Sequence, residues 1–357
     1  NTVFLTGATG FFGAHLLKEL LDQGKIQIIC LVRNGDKKRL EDVLSWYFGA
    51  GWTAGIRSRI RVAAGDLSLP CLGMEEREWK ALADEVDGIY HSAADVRHYA
   101  ADAGEFMNTN VTGTETMIAL SLQADAVLHY ISTASISGDF LKDEPEKQMV
   151  FTEDDFYIGQ NWEDNIYIRS KFLAEACIYK AMEEKGLNAR VYRLGRITGR
   201  CTDHVFQRNP ESNAAYLMMR AVRALGAITE SMSLLPVDLT PVDWCAAAVI
   251  ALGGSDRTAL HLLNPQPPSM KEVAQVLVPD LVIVPDESYG MLLQERMNEE
   301  NRDILAPLLD YYNRTGIGES RIQVDCSKTL ETFKKEGFGW EIPPAARLIE
   351  GFSGLFT

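Results

Sequence analysis

A tyrosine and a lysine four residues apart carry the clearest chemical signal in the sequence. In YIRSK, Tyr167 and Lys171 fall on a predicted helix, and their i, i+4 spacing places the phenol and the ammonium on one helical face. A free phenol has a pKa of about 10, so it is a weak acid around neutral pH. We expect the Lys171 ammonium to favour the phenolate and to lower the pKa of Tyr167.

A hydroxyl-rich segment, STAS at Ser132–Ser135, closes the strand that precedes this helix. We expect Thr133 to hydrogen-bond the oxygen of a substrate carbonyl while Tyr167 supplies the proton to that oxygen. A YxxxK pair alone also fits a solvated helix with a half-buried tyrosine. Its position after STAS favours the catalytic interpretation, with Thr133, Tyr167 and Lys171 as the set for carbonyl reduction.

The glycine-rich run TGATGFFG (Thr6–Gly13) lies between the first predicted strand and the first predicted helix. Gly7 would permit the tight turn, Gly10 the approach of a pyrophosphate to the backbone, and Gly13 the close packing of helix on strand. The pyrophosphate would then lie at the positive end of the helix. A glycine triplet alone could be a mere turn, but this position predicts dinucleotide binding.

The end of the second predicted strand indicates which dinucleotide is preferred. An acidic residue at this point would bind the ribose hydroxyls of NAD, whereas the run LVRN places Arg33 there. Arg39, one turn into the next helix, could supply a second guanidinium for the 2′-phosphate. Both could instead be ordinary surface arginines. The sequence favours NADPH over NADH, with hydride coming from nicotinamide C4 and Lys171 also holding the nicotinamide ribose.

Two further strand ends fit the same cofactor. GDL (Gly65–Leu67) ends the third strand, where Asp66 could meet the adenine. HSAADV (His91–Val96) ends the fourth strand, and its small side chains leave room for the cofactor to cross the sheet; these are Ser92, Ala93 and Ala94.

Two polar residues nearby have less specific interpretations. His91 stands at a strand terminus, and we interpret it as a packed structural residue and not as a catalyst. Asn110, in NTNVTGT, is expected on the crossover helix between the fourth and fifth strands, facing the cofactor. An ordinary polar position near a helix start is the alternative for Asn110.

The elements that position these residues alternate along the first two-thirds of the chain. Short β-branched runs and amphipathic stretches predict an α/β fold, a doubly wound parallel Rossmann sheet with its ligand crevice at the carboxyl ends of the strands. The predicted strands are Thr2–Thr6, Ile26–Val32, Ile60–Ala64, Gly88–His91, Ala126–Ser132 and Ala189–Leu194. The predicted helices are Phe11–Gln23, Lys37–Phe48, Glu75–Ala83, Glu105–Gln123 and Ile166–Glu184.

Beyond about Gly199 prolines interrupt this rhythm, and the remainder predicts a smaller, mostly helical C-terminal substrate domain. We expect residues 1–200 to form the NADP-binding domain, with 232–253 returning to it, and 201–231 and 254–357 to form the substrate and carrier-binding part. The acidic segment Asp139–Asn165 joins two catalytic elements. It is either a mobile wall of the active site or an exposed surface loop.

Composition excludes several classes of protein. The chain has 357 residues and a net charge of −15, which argues against general nucleic-acid binding because the phosphate backbone requires a basic face. No apolar run approaches the roughly 20 residues of a membrane span, and no secretion leader is visible. The six cysteines form no CxxC pair and no zinc pattern, so we expect reduced thiols, no metal and a cytoplasmic location.

Six motifs, in combination and in order, resemble those of extended short-chain dehydrogenase/reductases over about the first 250 residues. They are TGATGFFG, GDL, HSAADV, STAS, YIRSK and YRLGRITG (Tyr192–Gly199). Three features are similar to the thioester-reductase branch, which includes terminal reductase domains of nonribosomal peptide synthetases and reductase domains of carboxylic acid and aminoadipate reductases. They are LVR with the following Arg39–Leu40, YRLGRITG itself, and PVDLTPVDW at Pro236–Trp244.

The resemblance implies roles for individual residues. It marks Thr133, Tyr167 and Lys171 as catalytic. It implies cofactor contacts at Gly7, Thr9, Gly10, Phe11, Phe12, Gly13, Arg33, Arg39, Asp66, Leu67, Ala93 and Ala94, and a nicotinamide end lined by Leu194, Gly195 and Ile197. The sequence departs from the family pattern at Leu194, where relatives commonly have proline, and over Asp95–Phe106, which bears on substrate fit.

The resemblance also implies a reaction and a partner. Members of the branch reduce an acyl or peptidyl thioester on a carrier protein's phosphopantetheine arm to an aldehyde or, after a second hydride, an alcohol. A start at Asn1 and a short tail fit a monomeric domain of a larger synthetase, although a trimmed chain would look the same. The Met-, Leu- and acid-rich stretch Ser288–Tyr312 would be a docking or lid helix pair, or simply core helices.

Two other functions are compatible with the scaffold. The first is an epimerase or dehydratase acting on a nucleotide sugar, which keeps the tyrosine and lysine but commonly prefers NAD; Arg33 argues against it. The second is a non-catalytic NADPH-binding sensor, which would not need the complete set of Thr133, Tyr167 and Lys171.

Overall fold

The computed structural model describes residues 1–95, 103–315 and 320–353. The chain forms two compact units. The first comprises Asn1–Leu194, Cys245–Leu262 and Ile322–Gly339, and the second comprises Gly195–Trp244, Leu263–Arg321 and Trp340–Thr357. Val96 and most of the divergent stretch after Asp95 lie outside the described residues.

The first unit is built on a seven-stranded parallel sheet. Its strands are β1 (Thr2–Thr6), β2 (Gln27–Val32), β3 (Ile60–Ala64), β4 (Gly88–His91), β5 (Val127–Thr133), β7 (Ala189–Leu194) and β11 (Ala259–Leu262). They lie in the order β11-β7-β5-β4-β1-β2-β3, with every neighbouring pair parallel. This confirms the predicted α/β class with a doubly wound sheet.

Helices connect these strands, and several of them bury an apolar face. The first helix, for example, buries Leu16, Leu17, Leu20 and Leu21, which recur at helical spacing. The helices up to β7 are α1 (Phe11–Asp22), α2 (Lys37–Phe48), α3 (Ala50–Ile56), α4 (Glu76–Glu85), α5 (Ala103–Met107), α6 (Gly113–Ala124) and α7 (Ile166–Lys185). A π-helical turn, Asn108–Thr112, joins α5 to α6.

The sheet has one strand more than the six expected from the sequence. β11 pairs with β7 from Ala259 to Leu262, and all four of its residues are buried. The segment Cys245–Leu262, which contains β11, belongs to the first unit. Ile322–Gly339 joins this unit as well, through a strand pair described next.

The acidic segment Asp139–Asn165 belongs to the first unit; its residues 142–148 are exposed, whereas Phe151 and Gln160 in its later part are buried. Its strand β6 (Met149–Phe151) pairs in parallel with β13 (Ile322–Val324). Phe151 is fully buried in a small core with Ile136, Leu141, Phe172 and Ile322. Trp162 stacks on Phe172 at 4.3 Å between ring centroids. This cluster anchors the chain between STAS and the helix that carries Tyr167.

The second unit consists mainly of helices with short parallel strand pairs, as predicted for the C-terminal part. Its strand pairs are β8 (Ile197–Thr198) with β10 (Thr240–Pro241), and β9 (Ala227–Thr229) with β12 (Val282–Val284). The remaining helices of the chain are α8 (Ala214–Leu225), α9 (Glu230–Leu234), α10 (Val242–Ala251), α11 (Met270–Leu277), α12 (Asp286–Arg296), α13 (Arg302–Thr315), α14 (Ser327–Glu336) and α15 (Ala345–Ser353). Of these, α14 belongs to the first unit and α10 crosses the boundary.

Candidate active site

The glycine loop and the STAS segment lie at the same edge of the first unit's sheet. Parallel register pairs Thr6 with His91, and His91 with Tyr130, so that β1 and β4 end side by side and β5 continues beyond them to Thr133. Residues that follow these three strands therefore share one edge, at the carboxyl ends of the strands, where open α/β sheets bind ligands.

Two glycines of the loop are required by close backbone packing. Gly7 has a φ of 82°, and a Cβ there would lie 2.6 Å from the Ala93 nitrogen. A Cβ on Gly13 would lie 2.0 Å from the Gly7 carbonyl oxygen. The Gly10 N–H donates to that same oxygen at 2.9 Å, which closes the turn. The loop is thus held in one tight conformation against the start of the segment Ser92–Ala94.

The start of α1 suits an anionic group. Gly10 precedes the helix with no side-chain cap, and its first turn contains no acidic residue, so the terminal N–H groups and the helix dipole favour a phosphate. Phe11 stacks on the buried Tyr47 of α2 at 6.0 Å between ring centroids, which fixes the first turn against α2. Thr9 and Phe12 lie on this loop and first turn as predicted. These features fit a dinucleotide pyrophosphate.

Arg33 and Arg39 stand near the end of β2. Arg33 follows the strand directly, and its Nε forms an ion pair with Asp66 Oδ2 at 3.0 Å. The Arg33 side chain is 63% exposed. Arg39 lies in the first turn of α2, where its N–H donates to the capping Asp36 at 2.9 Å and its side chain is exposed. Both guanidiniums are accessible to a ligand phosphate.

Asp66 is held in place at the end of β3. Its Oδ1 accepts hydrogen bonds from the Ser68 N–H at 2.9 Å and the Ser68 hydroxyl at 2.7 Å. Partial burial raises its pKa, but the Ser68 hydrogen bonds and the Arg33 charge outweigh burial and lower the pKa below its usual value. Asp66 is therefore a carboxylate at neutral pH. The next residue, Leu67, is buried and packs in the main core of the unit.

His91 is a packed structural residue, as expected. Its Nδ1 is 2.7 Å from the Thr6 hydroxyl and its Nε2 is 3.2 Å from the Thr114 hydroxyl. Burial, together with the charge of Lys171, lowers the pKa of His91 to about 3. The imidazole is thus neutral, and it connects β1 to α6.

Asn110 lies in the π-helical turn, and its carboxamide is hydrogen-bonded to other groups of the protein. Its Oδ1 accepts from the Asp95 N–H at 2.7 Å, while its Nδ2 donates to the Asp95 carbonyl and to the Ser170 hydroxyl, each at 2.9 Å. Ser170 in turn donates to the Tyr167 carbonyl at 2.8 Å. Asn110 therefore ties the loop after β4 to α7. A direct contact with a cofactor remains a prediction.

The predicted catalytic side chains come together at the end of β5. The Tyr167 side chain is hydrogen-bonded to that of Thr133, whose Oγ1 also accepts from the Ser135 N–H at 3.2 Å. Asn165 caps α7 by accepting from the N–H groups of Tyr167 and Ile168 at 2.9 and 3.1 Å. The cap fixes the first turn of α7, and so it directs the phenol towards Thr133.

The pKa of Tyr167 differs from the expectation. Burial raises it to about 12, and the hydrogen bond with Thr133 offsets only part of that rise. The expected lowering by Lys171 is absent because its ammonium is directed elsewhere: Nζ donates to the Ile131 carbonyl at 2.8 Å and lies 4.8 Å from the Tyr130 ring centroid. In this environment Tyr167 is a protonated phenol across the neutral range, which suits a proton donor.

The three residues predicted at the nicotinamide end are divided between the units. Leu194 ends β7 in the first unit, while Gly195 and Ile197 belong to the second. A Cβ on Gly195 would lie 1.7 Å from Asp238 Oδ2, so only glycine fits beside that buried carboxylate. Asp238 accepts from the N–H groups of Arg196 and Asn264, each at 3.0 Å. The PVDLTPVDW motif is thus fixed to the chain after β7.

One group near the site was not predicted from the sequence. Glu175 and Arg193 form a fully buried ion pair at 2.8 Å, one helical turn beyond Lys171. The i, i+4 spacing from Lys171 to Glu175 was available as a signal, but nothing in the sequence indicated that Arg193 on β7 would be its partner.

Within residues 1–95, 103–315 and 320–353, no group of three or more His, Cys, Asp or Glu side chains could hold a metal ion. All six cysteines are free. In the same part of the chain, no helix combines the length and apolar character that crossing a membrane requires.

The sequence matches a family model and is similar to curated proteins. Residues 5–249 match the family model described as male sterility protein, an NAD-binding family. A linear gramicidin synthase subunit from Brevibacillus parabrevis is 31% identical over 74% of this chain. Glycine betaine reductase ATRR of Emericella nidulans is 30% identical over 78% of this chain. The aligned regions span only 5% and 22% of these two curated relatives.

The chain is also similar to several solved structures. The thiolation-reductase di-domain of an archaeal nonribosomal peptide synthetase is 27% identical with a TM-score of 0.84, covering 99% of this chain and 75% of that one. The aureusimine cluster reductase domain is 27% identical with a TM-score of 0.82, covering 100% and 91%. A UDP-glucose 4-epimerase from Thermotoga maritima has 14% identity and a TM-score of 0.64, covering 100% of both chains, which shows the shared fold alone.

Proposed function

This chain belongs to the NAD-binding family described as male sterility protein, and we propose that it reduces an acyl or peptidyl thioester with NADPH, releasing an aldehyde from a carrier protein's phosphopantetheine arm. Its structural neighbours are reductase domains of nonribosomal peptide synthetases. One observation carries the proposal: the hydrogen-bonded pair Thr133–Tyr167 stands at the same sheet edge as the glycine loop.

NADPH is the reductant in this proposal, and when bound it supplies a hydride from nicotinamide C4. The backbone of the glycine loop and the start of α1 bind the pyrophosphate, for which that uncapped helix end is suited. Arg33 binds the 2′-phosphate, supported by its exposed guanidinium at the end of β2. Asp66 contacts the adenine end, and the small residues Ser92, Ala93 and Ala94 leave room for the cofactor.

Thr133 and Tyr167 act on the substrate oxygen. Their hydroxyls hydrogen-bond the thioester carbonyl, which stabilises the charge that develops as hydride reaches the carbonyl carbon. Tyr167 then gives its proton to that oxygen, forming a hemithioacetal, and Lys171 holds the nicotinamide ribose. The hemithioacetal hydroxyl then loses its proton as the C–S bond breaks, which leaves the aldehyde and expels the pantetheine thiolate, and the thiolate takes up a proton. A second round of hydride and proton transfer would give an alcohol.

The carrier protein is the partner in this proposal. The chain spans a small part of its curated relatives, one of which is a subunit of linear gramicidin synthase. We assign the substrate and carrier contacts to the second unit, including α12 and α13, which contain most of the Met-, Leu- and acid-rich stretch predicted to dock a partner. The acyl group that the carrier presents is identified by the products of the following experiment.

The test is to supply NADPH with a panel of pantetheine and carrier-bound thioesters and to identify the products by mass spectrometry. We expect NADPH oxidation together with free thiol and an aldehyde or alcohol. Matched reactions with the corresponding free acids, and with NADH, should be much slower. Failure to oxidise NADPH with every thioester would reject the proposal. Tightly bound NAD⁺ in the purified protein would instead favour an epimerase-type enzyme.

A further inference from the structure

The ammonium of Lys171 lies in a buried site with weak local partners. The side chain is only 4% exposed, its Nζ donates to the Ile131 carbonyl, and the face of the Tyr130 ring lies 4.8 Å away. A carbonyl and an aromatic face stabilise a cation, but neither carries a full negative charge. Burial lowers the pKa of Lys171 to about 8, and the nearby charge of Glu175 opposes that effect.

The other titratable groups around Lys171 are neutral at pH 7. His91, from β4, has its pKa lowered to about 3 by burial and by the Lys171 charge. Tyr130, from β5, has its pKa raised well above 10, chiefly by burial. Tyr167, one turn earlier on α7, has its pKa raised to about 12. Glu175, one turn later on α7, thus supplies the negative charge that faces the ammonium.

Several hydrogen bonds hold the buried Glu175 carboxylate in place. Its Oε2 accepts from Arg193 Nη2 at 2.8 Å and from Arg193 Nε at 3.1 Å, a side-on approach in which Nε is also 3.3 Å from Oε1. The Ser132 hydroxyl donates to Oε1. Glu175 and Arg193 both have 0% exposed side chains. These contacts hold the carboxylate in one position.

Arg193 is itself locked in place. Its Nη1 donates to the Asp155 carbonyl at 2.8 Å and to His261 Nε2 at 3.1 Å, and its Nη2 donates to the Tyr179 hydroxyl at 3.2 Å. Burial and the Arg193 charge lower the pKa of His261 to about 3, so the imidazole is neutral and can accept this hydrogen bond. Its Nδ1 then donates to the Asp325 carbonyl.

Stability alone is a weak reason for such a pair. A buried ion pair costs desolvation that its Coulomb attraction often only offsets, and well-packed apolar replacements can be equally stable. We infer that Glu175, held rigid by Arg193, is a positioning residue that keeps the Lys171 ammonium charged and bound to the Ile131 carbonyl at neutral and mildly alkaline pH. This inference rests on the proposed reductase function, in which Lys171 holds the nicotinamide ribose.

The decisive variant is Glu175→Gln, which keeps the shape of the side chain and removes its charge. The alkaline limb of the pH profile of kcat/KM for thioester reduction should move about one unit towards lower pH, because Lys171 loses its proton more easily. The Kd for NADPH should rise at pH 8 by about threefold or more relative to pH 6, where Lys171 stays charged. Glu175→Asp should retain part of the wild-type profile.

Two further variants separate charge from structure. Tyr179→Phe removes a hydrogen bond from Arg193 without changing any charge near Lys171, so both pH profiles should match the wild type. Glu175→Gln with Arg193→Gln removes both buried charges together and avoids an unpaired Arg193; it should show a shift in the same direction as the single variant but smaller, because no unpaired cation remains near Lys171.

Unchanged pH profiles in folded Glu175→Gln protein would overturn the inference, as would a matching shift in Tyr179→Phe. Loss of folded protein in both Glu175 variants would overturn it too, by assigning the ion pair to stability alone. Failure of the reductase proposal is distinguishable from these outcomes. A wild-type chain that reduces no thioester would reject the reaction, while the pH dependence of NADPH affinity would still report on Lys171.

Discussion

The Nε of Arg33 lies 3.0 Å from Oδ2 of Asp66, and this ion pair joins the segments that follow two neighbouring strands, β2 and β3. Two hydrogen bonds from Ser68 hold the Asp66 carboxylate in place, so the ion pair also restrains the Arg33 side chain. The Arg33 side chain is nonetheless mostly exposed, and an exposed pair contributes only about 0–1 kcal/mol to stability. The arrangement makes better sense for ligand binding than for folding.

Arg33→Ala should weaken NADPH binding far more than NADH binding. A charge-assisted hydrogen bond to phosphate is worth about 1.5–3 kcal/mol, so the Kd for NADPH should rise by about 10- to 100-fold. The Kd for NADH, which lacks the 2′-phosphate, should change by less than about threefold on the same reasoning. Fluorescence titration of both nucleotides measures the difference.

The matched control for this prediction is Arg57→Ala. Arg57 is another exposed arginine in a surface ion pair, with Glu41 at 3.0 Å, so its removal changes the net charge equally. It should leave both nucleotide affinities unchanged. Equal losses of NADPH and NADH affinity in Arg33→Ala would refute the assignment of Arg33 to the 2′-phosphate.

Tyr167→Phe should nearly abolish NADPH oxidation with an acyl thioester. It removes the proton donor, and general acid catalysis contributes about 10²- to 10⁴-fold to rate. NADPH affinity should stay near the wild-type value, since the ring and Lys171 remain. Steady-state rates and NADPH fluorescence titrations on the same preparation check both statements.

Tyr157→Phe is the control, because Tyr157 is 58% exposed on the neighbouring segment and loses a hydroxyl in the same way. Its rate should equal that of the wild type. Full activity in Tyr167→Phe would remove this residue from the mechanism. Since the pKa of Tyr167 is about 12 and that of Lys171 about 8, the first loss of rate on raising the pH should come from Lys171.

Much of the fold could be predicted because its strands are short apolar runs in regular alternation with amphipathic helices. The predicted bounds of β1, β3, β4 and β7 agree with the structure, and so do those of α2. The seventh strand, Ala259–Leu262, was missed because it is a four-residue run in a proline-rich region. Nothing local marks it as a strand; its pairing with β7 decides its structure.

The candidate site was predictable to a similar extent. Spacing alone indicated that Tyr167 and Lys171 would share a helical face. It could not indicate the direction of the pKa shift of Tyr167, because burial depends on residues distant in sequence. The pairing of Arg33 with Asp66, and of Glu175 with Arg193, likewise depends on which strands become neighbours. Such contacts are set by tertiary structure and leave no periodic signal.

The glycine loop provides a test that links packing to ligand binding. A Cβ on Gly13 would lie 2.0 Å from the Gly7 carbonyl oxygen, and that oxygen already accepts the Gly10 N–H. The atoms nearest to that Cβ are the carbonyl oxygen and carbon of Gly7, which belong to the backbone. No flexible side chain can therefore give way, and the loop must shift in Gly13→Ala. Overpacking of this kind costs about 1–3 kcal/mol. The free energy of unfolding, measured by chemical denaturation, should fall by that amount.

The same shift should displace the N–H groups that would hold the pyrophosphate. The Kd for NADPH should therefore rise at least about tenfold in Gly13→Ala, which corresponds to the loss of about one charge-assisted hydrogen bond. Gly51→Ala is the control, because a Cβ there meets nothing within 4 Å and Gly51 lies on the exposed side of α3. It should bind NADPH normally and gain up to about 1 kcal/mol in stability, since alanine favours the helix. If Gly13→Ala were destabilised yet bound NADPH like the wild type, the loop would be a structural turn, and the pyrophosphate would have to bind elsewhere.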